Sequence, residues 1–238
     1  MIILGLDFET NGLDPNKCDI LEFGAVLWDL KKSKPLYIAS DFILPDSTHF
    51  EIEEDIKILT GIEEEDLYSY GIPIESASNK ISEMTDRATC IVTHFGIEFD
   101  RIIYERLMNL VKYKYKKVFW IDTGYDIDYP KNIRTRKLNY LSFEHGLMPF
   151  QSHRALFDVL TMLNILSKYN MDEIIQFAQT PLLRVTAHLD FDKKDLAIKS
   201  GFYWNKEKKI WAKVIREGML KKEYLDFKIE KEIIYQNT

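Results

Sequence analysis

The stretch IILGLDFETNGLDP, residues 2–15, decides the fold of this chain and points to a site within it. Its first residues are apolar and β-branched, which predicts a buried strand, and the NGLDP that follows is typical of a turn. Asp7 and Glu9 are two residues apart, a spacing that points both carboxylates to one face of a strand. Paired hard oxygen ligands suit Mg²⁺ or Mn²⁺. A strand end whose acids simply face water explains the same pattern.

The patterns that follow predict an α/β fold. After the first strand, two further strands complete a meander, and then helical and strand patterns alternate, which favours a mixed sheet flanked by helices. The further strands are predicted in DILEFGAVLWDL, PLYIASDFILP, ATCIVTHF and VFWID. The helices are predicted in DIKILTGI, EEEDL, PIESASNKISEMT, IEFDRIIYERLMNL, KLNYLSFEHGL and HRALFDVLTMLNILSKY.

Composition limits the classes of protein to consider. With 238 residues, 46% apolar and 29% charged, the chain is typical of a globular protein with one large domain or one domain and an appendix. No apolar run reaches the roughly 20 residues that span a bilayer, and the N-terminus has no basic region typical of a signal peptide. The chain has two cysteines, Cys18 and Cys90, which favours a reducing compartment over a disulfide framework. We therefore expect a cytoplasmic protein without a membrane partner.

Charge is unevenly distributed, and the pattern changes near residue 180. The whole chain has a net charge of -6, yet residues 182–231 carry 13 basic against 8 acidic side chains. That segment shows a strand, a helix that ends at Gly201, a hairpin around residues 205–208, a helix and a last strand. We therefore predict two domains, residues 1–180 and a small basic α+β domain at 181–238.

A third acid, Asp100, lies in the segment THFGIEFD, residues 93–100. It is predicted to start a helix that follows a strand, where the helix dipole by itself stabilises an acid. His94 at the strand end is either a polar terminus or a contact for substrate. Taken alone, neither Asp100 nor His94 indicates a particular function.

The segment SHRALFD, residues 152–158, supplies a histidine and a fourth acid. His153 and Asp158 are five residues apart, about 1.4 helical turns, so they would not share a face of one continuous helix. The spacing makes sense if His153 lies on the loop that enters the helix and Asp158 on its first turns. Histidine is suited to proton transfer near neutral pH, although a surface histidine beside a helical acid is the simpler interpretation.

Aromatic residues alternate with lysines in GFYWNKEKKIW, residues 201–211. Trp204 and Trp211 among residues such as Lys209 indicate a surface that binds single-stranded nucleic acid through stacking and phosphate contacts. The alternative is that both tryptophans form the core of a small domain that the lysines solvate, and the two interpretations are compatible.

Other acids are interpreted as ordinary. Glu22 interrupts an apolar strand and is expected to be half-buried and hydrogen-bonded, and Asp122, Asp126 and Asp128 are read as loop acids after a strand. The sequence contains no phosphate-binding loop, dinucleotide glycine fingerprint, GxSxG or HExxH motif.

In order along the chain, these motifs resemble the DEDDh 3′–5′ exonucleases, the family of the DNA polymerase III epsilon proofreading subunit and exonuclease X. The resemblance covers roughly residues 1–170. It is carried by DFETNGLDP, EFGAV, LTGI, THFGIEFD, KLNYLSFEHGL and HRALFD. The resemblance implies an RNase H-like fold with a mixed five-stranded sheet, and the C-terminal segment resembles accessory modules appended to some such exonucleases.

The resemblance also implies a site. Asp7, Glu9, Asp100 and Asp158 would bind two Mg²⁺ or Mn²⁺ ions, and His153 would be the general base. Two residues, Thr10 and Leu13, match family positions near the 3′-terminal nucleotide. One departure is visible, because the family often has an asparagine after the histidine of its F-D motif, whereas His94 is followed by Phe95.

We therefore expect a metal-dependent 3′–5′ exonuclease that removes nucleoside 5′-monophosphates from DNA, either single-stranded or at a 3′ end, with a polymerase or repair partner. His94, Phe95, Trp204, Lys209 and Trp211 are further candidates for substrate contacts. Two alternatives stay open: an exoribonuclease with the same chemistry, and an inactive nucleic-acid-binding or regulatory module on the same scaffold.

Overall fold

The computed structural model describes residues 1–47, 49–113, 118–148 and 151–237. The chain forms two compact units. The first consists of residues 1–124 and 129–170, and the second of residues 125–128 and 171–238. In the part of the chain described, every helix falls short of the length and apolarity that crossing a membrane requires.

The first unit is built on a mixed sheet of five strands in the order β3-β2-β1-β4-β5. β1 pairs antiparallel with β2, which pairs antiparallel with β3, whereas β1–β4 and β4–β5 are parallel. The strands are β1 Ile2–Thr10, β2 Ile20–Asp29, β3 Lys34–Phe42, β4 Cys90–Thr93 and β5 Phe119–Asp122. The predicted fold class, a mixed five-stranded sheet flanked by helices, is confirmed.

Among the described residues of this unit, six helices accompany the sheet. They are α1 Glu54–Thr60, α2 Glu64–Tyr70, α3 Ile74–Asp86, α4 Asp100–Leu110, α5 Leu138–Glu144 and α6 Ala155–Leu166. Each falls in a segment for which the sequence predicts a helix. α5 is followed by Gly146 with φ of +69°, a left-handed conformation that glycine adopts without strain.

The close approach of α6 to the sheet depends on a small residue in β2. A Cβ atom at Gly24 would lie 2.4 Å from the backbone carbon of Ala155, so no larger side chain fits without displacing the helix. Trp28 at the other end of β2 donates a hydrogen bond from its indole nitrogen to Ser167, at 3.0 Å. α6 is therefore held against β2 at both ends.

The second unit has an antiparallel sheet of four strands in the order β7-β8-β6-β9. Its elements are α7 Met171–Ala178, β6 Leu182–Ala187, a 3₁₀ turn Phe191–Lys193, α8 Lys194–Lys199, β7 Tyr203–Asn205, β8 Ile210–Arg216, α9 Glu217–Leu220 and β9 Ile229–Tyr235. The hairpin, α8, α9 and the last strand match the prediction from the sequence. The sequence did not predict α7 as a helix of its own after α6.

The second unit begins earlier than the boundary predicted at about residue 180. Phe177 on α7 belongs to the same buried cluster as Leu183, Ile215 and Met219, so α7 completes the core of this unit. We therefore still propose a separate C-terminal domain, and its main segment starts at Met171.

A buried ion pair ties residues 125–128 into the second unit. Arg216 donates from Nε to Asp126 Oδ1 at 2.6 Å and from Nη2 to Oδ2 at 3.2 Å, and both side chains are fully buried. Asp126 is therefore not an ordinary loop acid. The interpretation was wrong because its partner lies 90 residues away, where no local pattern reveals it.

Candidate active site

Three carboxylates of the first unit converge at the end of β1. Asp7, Glu9 and Asp158 each offer an oxygen, and these oxygens all lie within 4.8 Å of one another. Asp7 is paired in register with Gly24 and Glu9 with Glu22, so both point to the side of the sheet that α6 covers. The spacing of two residues in β1 and the first turn of α6 bring the three acids together.

His153 lies on the loop just before α6. Its backbone N–H donates to Asp158 Oδ2 at 3.1 Å, which fixes the loop to the first turn of the helix. Its φ is +61°, a left-handed conformation that is uncommon outside glycine. Because α6 begins at Ala155, His153 stands outside the helix and Asp158 inside it, as the five-residue spacing predicts.

Asp100 lies beside these three acids but not in their group. It begins α4 and is buried. Oδ1 accepts from the backbone N–H of Phe8 at 3.2 Å, and Oδ2 accepts from the Thr93 hydroxyl at 3.1 Å. Its charge nevertheless reaches the cluster, because repulsion from Asp100 helps to raise the pKa of Asp7.

Burial and mutual repulsion disfavour the charged forms of these acids. Burial, then repulsion from Asp158 and Glu22, raises the pKa of Glu9 to about 8. Burial raises the pKa of Asp100 to about 7, against hydrogen bonds from Thr93 and Phe8 that lower it. The pKa of Asp7 is raised by burial and by its acidic neighbours, and that of Asp158 chiefly by burial.

The donor set fits hard divalent cations. Within the described ranges, none of Asp7, Glu9 and Asp158 forms a salt bridge with a lysine or arginine. Desolvated carboxylates that lack a protein cation need another positive charge to remain ionised. Clustered carboxylate oxygens are the ligands that Mg²⁺ and Mn²⁺ prefer.

Glu22 supports the site, a role that the sequence did not reveal. The sequence predicted only that this residue is half-buried and hydrogen-bonded. Arg154 donates to it from Nε at 3.0 Å and from Nη2 at 2.9 Å, and the backbone N–H of Ala155 donates at 3.1 Å. The carboxylate is buried, whereas Arg154 keeps 27% of its side chain exposed. Glu22 thus fixes the start of α6, between His153 and Asp158, to the strand beside Glu9.

Asp122 is a second acid whose role local sequence does not reveal. It is fully buried and accepts from the backbone N–H groups of Phe95 at 2.8 Å, Ile97 at 3.1 Å and Gly124 at 2.8 Å. Its interpretation as a loop acid is corrected, because it holds the turn from β4 into α4. Asp128 is a surface acid, paired with Lys222 at 3.1 Å.

His94 supports the same region from inside. Its Nε2–H donates to the carbonyl of Arg136 at 2.8 Å, and Nδ1 lies 2.8 Å from the Thr123 hydroxyl. Burial lowers the pKa of His94 to about 4, so it is neutral at physiological pH. Since both ring nitrogens are engaged within the protein, the structural alternative accounts for His94.

The loop after β1 carries the two other candidates. Thr10 donates from its hydroxyl to the carbonyl of Gly12 at 2.9 Å, and Leu13 is 94% exposed. Arg106 on α4 donates to the carbonyls of Pro15 at 3.1 Å and Cys18 at 2.7 Å. Arg106 therefore fixes the backbone of this loop, while the apolar side chain of Leu13 lies in solvent.

A cavity of about 740 Å³ opens beside the acids. Asp7, Asp158 and His153 line one part of it. The rest of its wall consists of His94, Phe95, Thr135, Lys137, Leu138, Asn139, Tyr140 and Phe143. A volume in this range is that of a typical small-molecule site. The carboxylates and His153 on one side face a wall in which aromatic rings alternate with polar side chains.

The second unit contains three further candidates for substrate contacts, Trp204, Lys209 and Trp211. Trp211 is 3% exposed and belongs to the core of its unit, so its ring offers no face for stacking, and the core alternative applies to it. Trp204 is partly buried and packs edge-on against Trp211, with ring centroids 5.2 Å apart. Lys209 is exposed.

A sequence profile of the RNase T family, described as Exonuclease, matches residues 4–166. The chain belongs to this exonuclease family. The matched range spans β1 to the end of α6 and so includes all four acids and His153. At the level of this exonuclease family, the match confirms the resemblance that the sequence motifs indicate.

The relatives of this exonuclease domain are larger proteins or distant ones. A PolC-type DNA polymerase III of Ureaplasma parvum serovar 3 is 30% identical over 149 residues, which is 62% of this chain and 9% of that protein. A zinc-bound complex of E. coli exonuclease I with single-stranded DNA has a TM-score of 0.62 at 16% identity, with 79% and 48% of the two chains covered. A 3′-exonuclease that recognises the histone mRNA stem-loop has a TM-score of 0.54 at 17% identity, covering 70% and 80%.

Stability of the metal-free protein should fall as pH rises from about 5.5 to about 8. Glu9 and Asp100 keep their protons in the folded state up to a pKa of about 8 and about 7, above their ordinary values of 4.5 and 3.8. The folded state therefore binds more protons than the unfolded chain in this window, and raising pH favours unfolding. Mg²⁺ should raise the melting temperature more at about pH 8 than at about pH 5.5, because protons compete with the ion. Differential scanning fluorimetry with and without Mg²⁺ measures this.

The Asp7→Asn variant is the control, and it should lose most of the rise that Mg²⁺ causes. An equal Mg²⁺ effect at both pH values, or no loss in Asp7→Asn, would contradict the assignment of these acids as metal ligands.

Glu22→Gln should destabilise the protein by about 2 kcal/mol, because it leaves the Arg154 charge in a largely buried position without its anion. The start of α6 should also loosen, so the concentration of Mg²⁺ that gives half of the stabilisation should rise. Asp41→Asn is the matched control, since Asp41 on the adjacent strand pairs with Lys80 at 2.9 Å in a more exposed position. Urea denaturation and a Mg²⁺ titration of both variants test this, and equal losses in the two would show that Glu22 has no special role.

Proposed function

We propose that this protein is a metal-dependent 3′–5′ exonuclease that removes nucleoside 5′-monophosphates from the 3′ end of DNA. The observation that carries the proposal is the group formed by Asp7, Glu9 and Asp158, whose oxygens lie within 4.8 Å of one another beside His153 in an open cavity. Membership of the exonuclease family gives the reaction class, and the acids supply what that reaction needs.

The acids are proposed to hold two Mg²⁺ or Mn²⁺ ions. Asp7, Glu9 and Asp158 would be the main ligands, with Asp100 contributing from its buried position. When bound, such ions orient the scissile phosphate and offset the negative charge that develops on its oxygens. Each oxygen of Asp100 already accepts a hydrogen bond, from Phe8 or from Thr93. To bind a metal ion, Asp100 would have to lose one of these hydrogen bonds or use the same oxygen for both the donor and the ion.

His153 is proposed to act as the general base. Its ring lines the cavity beside Asp7 and Asp158, where it can accept a proton from the attacking water as the new P–O bond forms. The bond between phosphorus and the 3′ oxygen of the preceding nucleotide then breaks. That oxygen takes up a proton and becomes the new 3′ hydroxyl, and the released nucleotide keeps the phosphate on its 5′ carbon.

DNA is the proposed substrate because the PolC-type relative is a DNA polymerase, which also supports a polymerase or repair partner. E. coli exonuclease I, a structural neighbour, is solved with single-stranded DNA. The alternative substrate is RNA, favoured by the likeness to an exonuclease that recognises histone mRNA. Both substrates would use the same acids and the same base.

The second unit is proposed to strengthen substrate binding through its hairpin. Lys206, Lys208 and Lys209 are exposed on the turn between β7 and β8, where the side chain of Asn205 accepts from the backbone N–H of Lys208 at 2.8 Å. Tyr203 beside them is 52% exposed. Exposed cations next to an aromatic ring suit a flexible nucleic-acid strand.

A labelled oligonucleotide assay tests the reaction. With Mg²⁺ or Mn²⁺, single-stranded DNA labelled at its 5′ end should shorten stepwise, and DNA labelled at its 3′ end should release a labelled mononucleotide at once. Asp7→Ala should lose activity by about 10³-fold or more. His153→Ala should slow turnover by about 10²- to 10⁴-fold yet keep its stabilisation by Mg²⁺.

The matched control is His49→Ala, an exposed histidine outside the cavity, which should cut at the wild-type rate. Unchanged turnover in Asp7→Ala would refute the proposed mechanism. Faster degradation of a matched RNA would assign the protein as an exoribonuclease.

Replacing Lys206, Lys208 and Lys209 together by alanine should weaken DNA binding at low salt and change it little at high salt. Each lost phosphate contact should reduce the slope of log affinity against log salt by about 0.7. Replacing Lys31, Lys32 and Lys34 is the matched control, because these lysines are also exposed around a strand–strand turn. If fluorescence anisotropy gives the same change for both triple variants, the hairpin has no specific role in binding.

A further inference from the structure

Phe95 has a backbone conformation that needs support. It lies on the turn between β4 and α4 with φ of +57°, a left-handed value that costs a bulky residue free energy and persists only where neighbours enforce it. The enforcing neighbour is Asp122, which accepts from the Phe95 N–H at 2.8 Å and from the Ile97 N–H at 3.1 Å. A fully buried carboxylate is thus committed to holding this residue in place.

The ring of Phe95 is also fixed. A Cβ atom at Gly124 would lie 2.6 Å from two of its ring carbons, so the ring packs directly on the backbone there and only glycine fits. His94 packs against the ring edge-on, with centroids 4.8 Å apart and an angle of 64°. With 39% of the residue still exposed, the ring forms part of the cavity wall.

Two of the polar side chains in this wall, His94 and Asn139, are engaged in the protein's own contacts. Both ring nitrogens of His94 are engaged by Thr123 and Arg136. The side-chain oxygen of Asn139 accepts from the Ser152 hydroxyl at 2.7 Å. In contrast, Phe143 is 67% exposed and, with Phe95, offers ring surface to the cavity. A base that enters the cavity can therefore meet ring surface at Phe95 and Phe143, while Thr135 and Lys137 line the same wall.

We propose that Phe95 stacks on the base of the substrate's terminal nucleotide and makes the presence of a base, rather than a polar contact, the criterion for binding. This inference rests on the proposed function of the same site. Its basis is the rigid ring of Phe95 in the cavity wall beside the acids. A stacked ring accepts every base, since each base has a π face, so the site distinguishes a base from its absence.

The test compares two short single-stranded DNAs that differ only at the 3′ end. One ends in a normal nucleotide and the other in an abasic deoxyribose, and binding is measured by fluorescence anisotropy with Ca²⁺ in place of Mg²⁺. The wild-type protein should prefer the normal end, and Phe95→Asn should lose about 5- to 100-fold of that preference. Asparagine tolerates positive φ, so this variant removes the ring and keeps the backbone.

Further variants separate stacking from a structural role. Phe95→Gly, which also accepts the backbone conformation, should behave like Phe95→Asn, whereas Phe95→Tyr should keep the wild-type preference. Tyr70→Asn is the matched control, because Tyr70 is 73% exposed on α2, outside the cavity lining, and it should leave the preference unchanged. Melting temperatures of all variants verify folding.

The outcomes also separate this inference from the proposed function. An unchanged preference in folded Phe95→Asn and Phe95→Gly, or its loss in Phe95→Tyr, overturns the role of Phe95. Cleavage by a wild-type protein that binds both ends equally refutes the stacking role and leaves the nuclease intact. Absence of cleavage with a ring-dependent preference refutes the nuclease alone.

Discussion

Repulsion among Asp7, Glu9 and Asp158 is the constraint on which the rest of this structure depends. Carboxylate oxygens within 4.8 Å of one another in a half-buried position remain charged only if cations offset the repulsion and the loss of water. The metal-free fold must therefore hold these groups against their own electrostatics. The residues around the three acids provide the contacts that hold them together against this repulsion.

Three features supply that restraint, and each fixes a different part of the cluster. Gly24 lets α6 approach the sheet so closely that Asp158 reaches the acids of β1. The pair between Glu22 and Arg154 then fixes the start of α6. Hydrogen bonds from Phe8 and Thr93 orient Asp100. Rigid support of this kind matters because metal ligands perform only when their geometry is set in advance.

The sequence predicted those parts whose signals are local. Strand and helix patterns and turn residues gave the five-stranded sheet and its helices, and the spacing of His153 and Asp158 placed one on a loop and one on a helix. The partners of Glu22 and Asp126 could not be predicted in this way, because they lie 132 and 90 residues away. The role of Asp122 was missed for a related reason, since its donors are backbone N–H groups that no residue type identifies.

The buried acids of this protein differ in what offsets their charge. This difference distinguishes the acids that stabilise the fold from those that are candidates for metal binding. Glu22 and Asp126 each accept two hydrogen bonds from an arginine, and Asp122 accepts three from the backbone. Their charges are satisfied by the protein, so they can hold its parts together but have little capacity left for a ligand. Among the residues that the structure describes, Asp7, Glu9 and Asp158 form no salt bridge, and Asp158 accepts a single backbone N–H, from His153. Acids that the fold brings together without a paired cation are available to a metal ion, and these three beside an exposed histidine constitute the site.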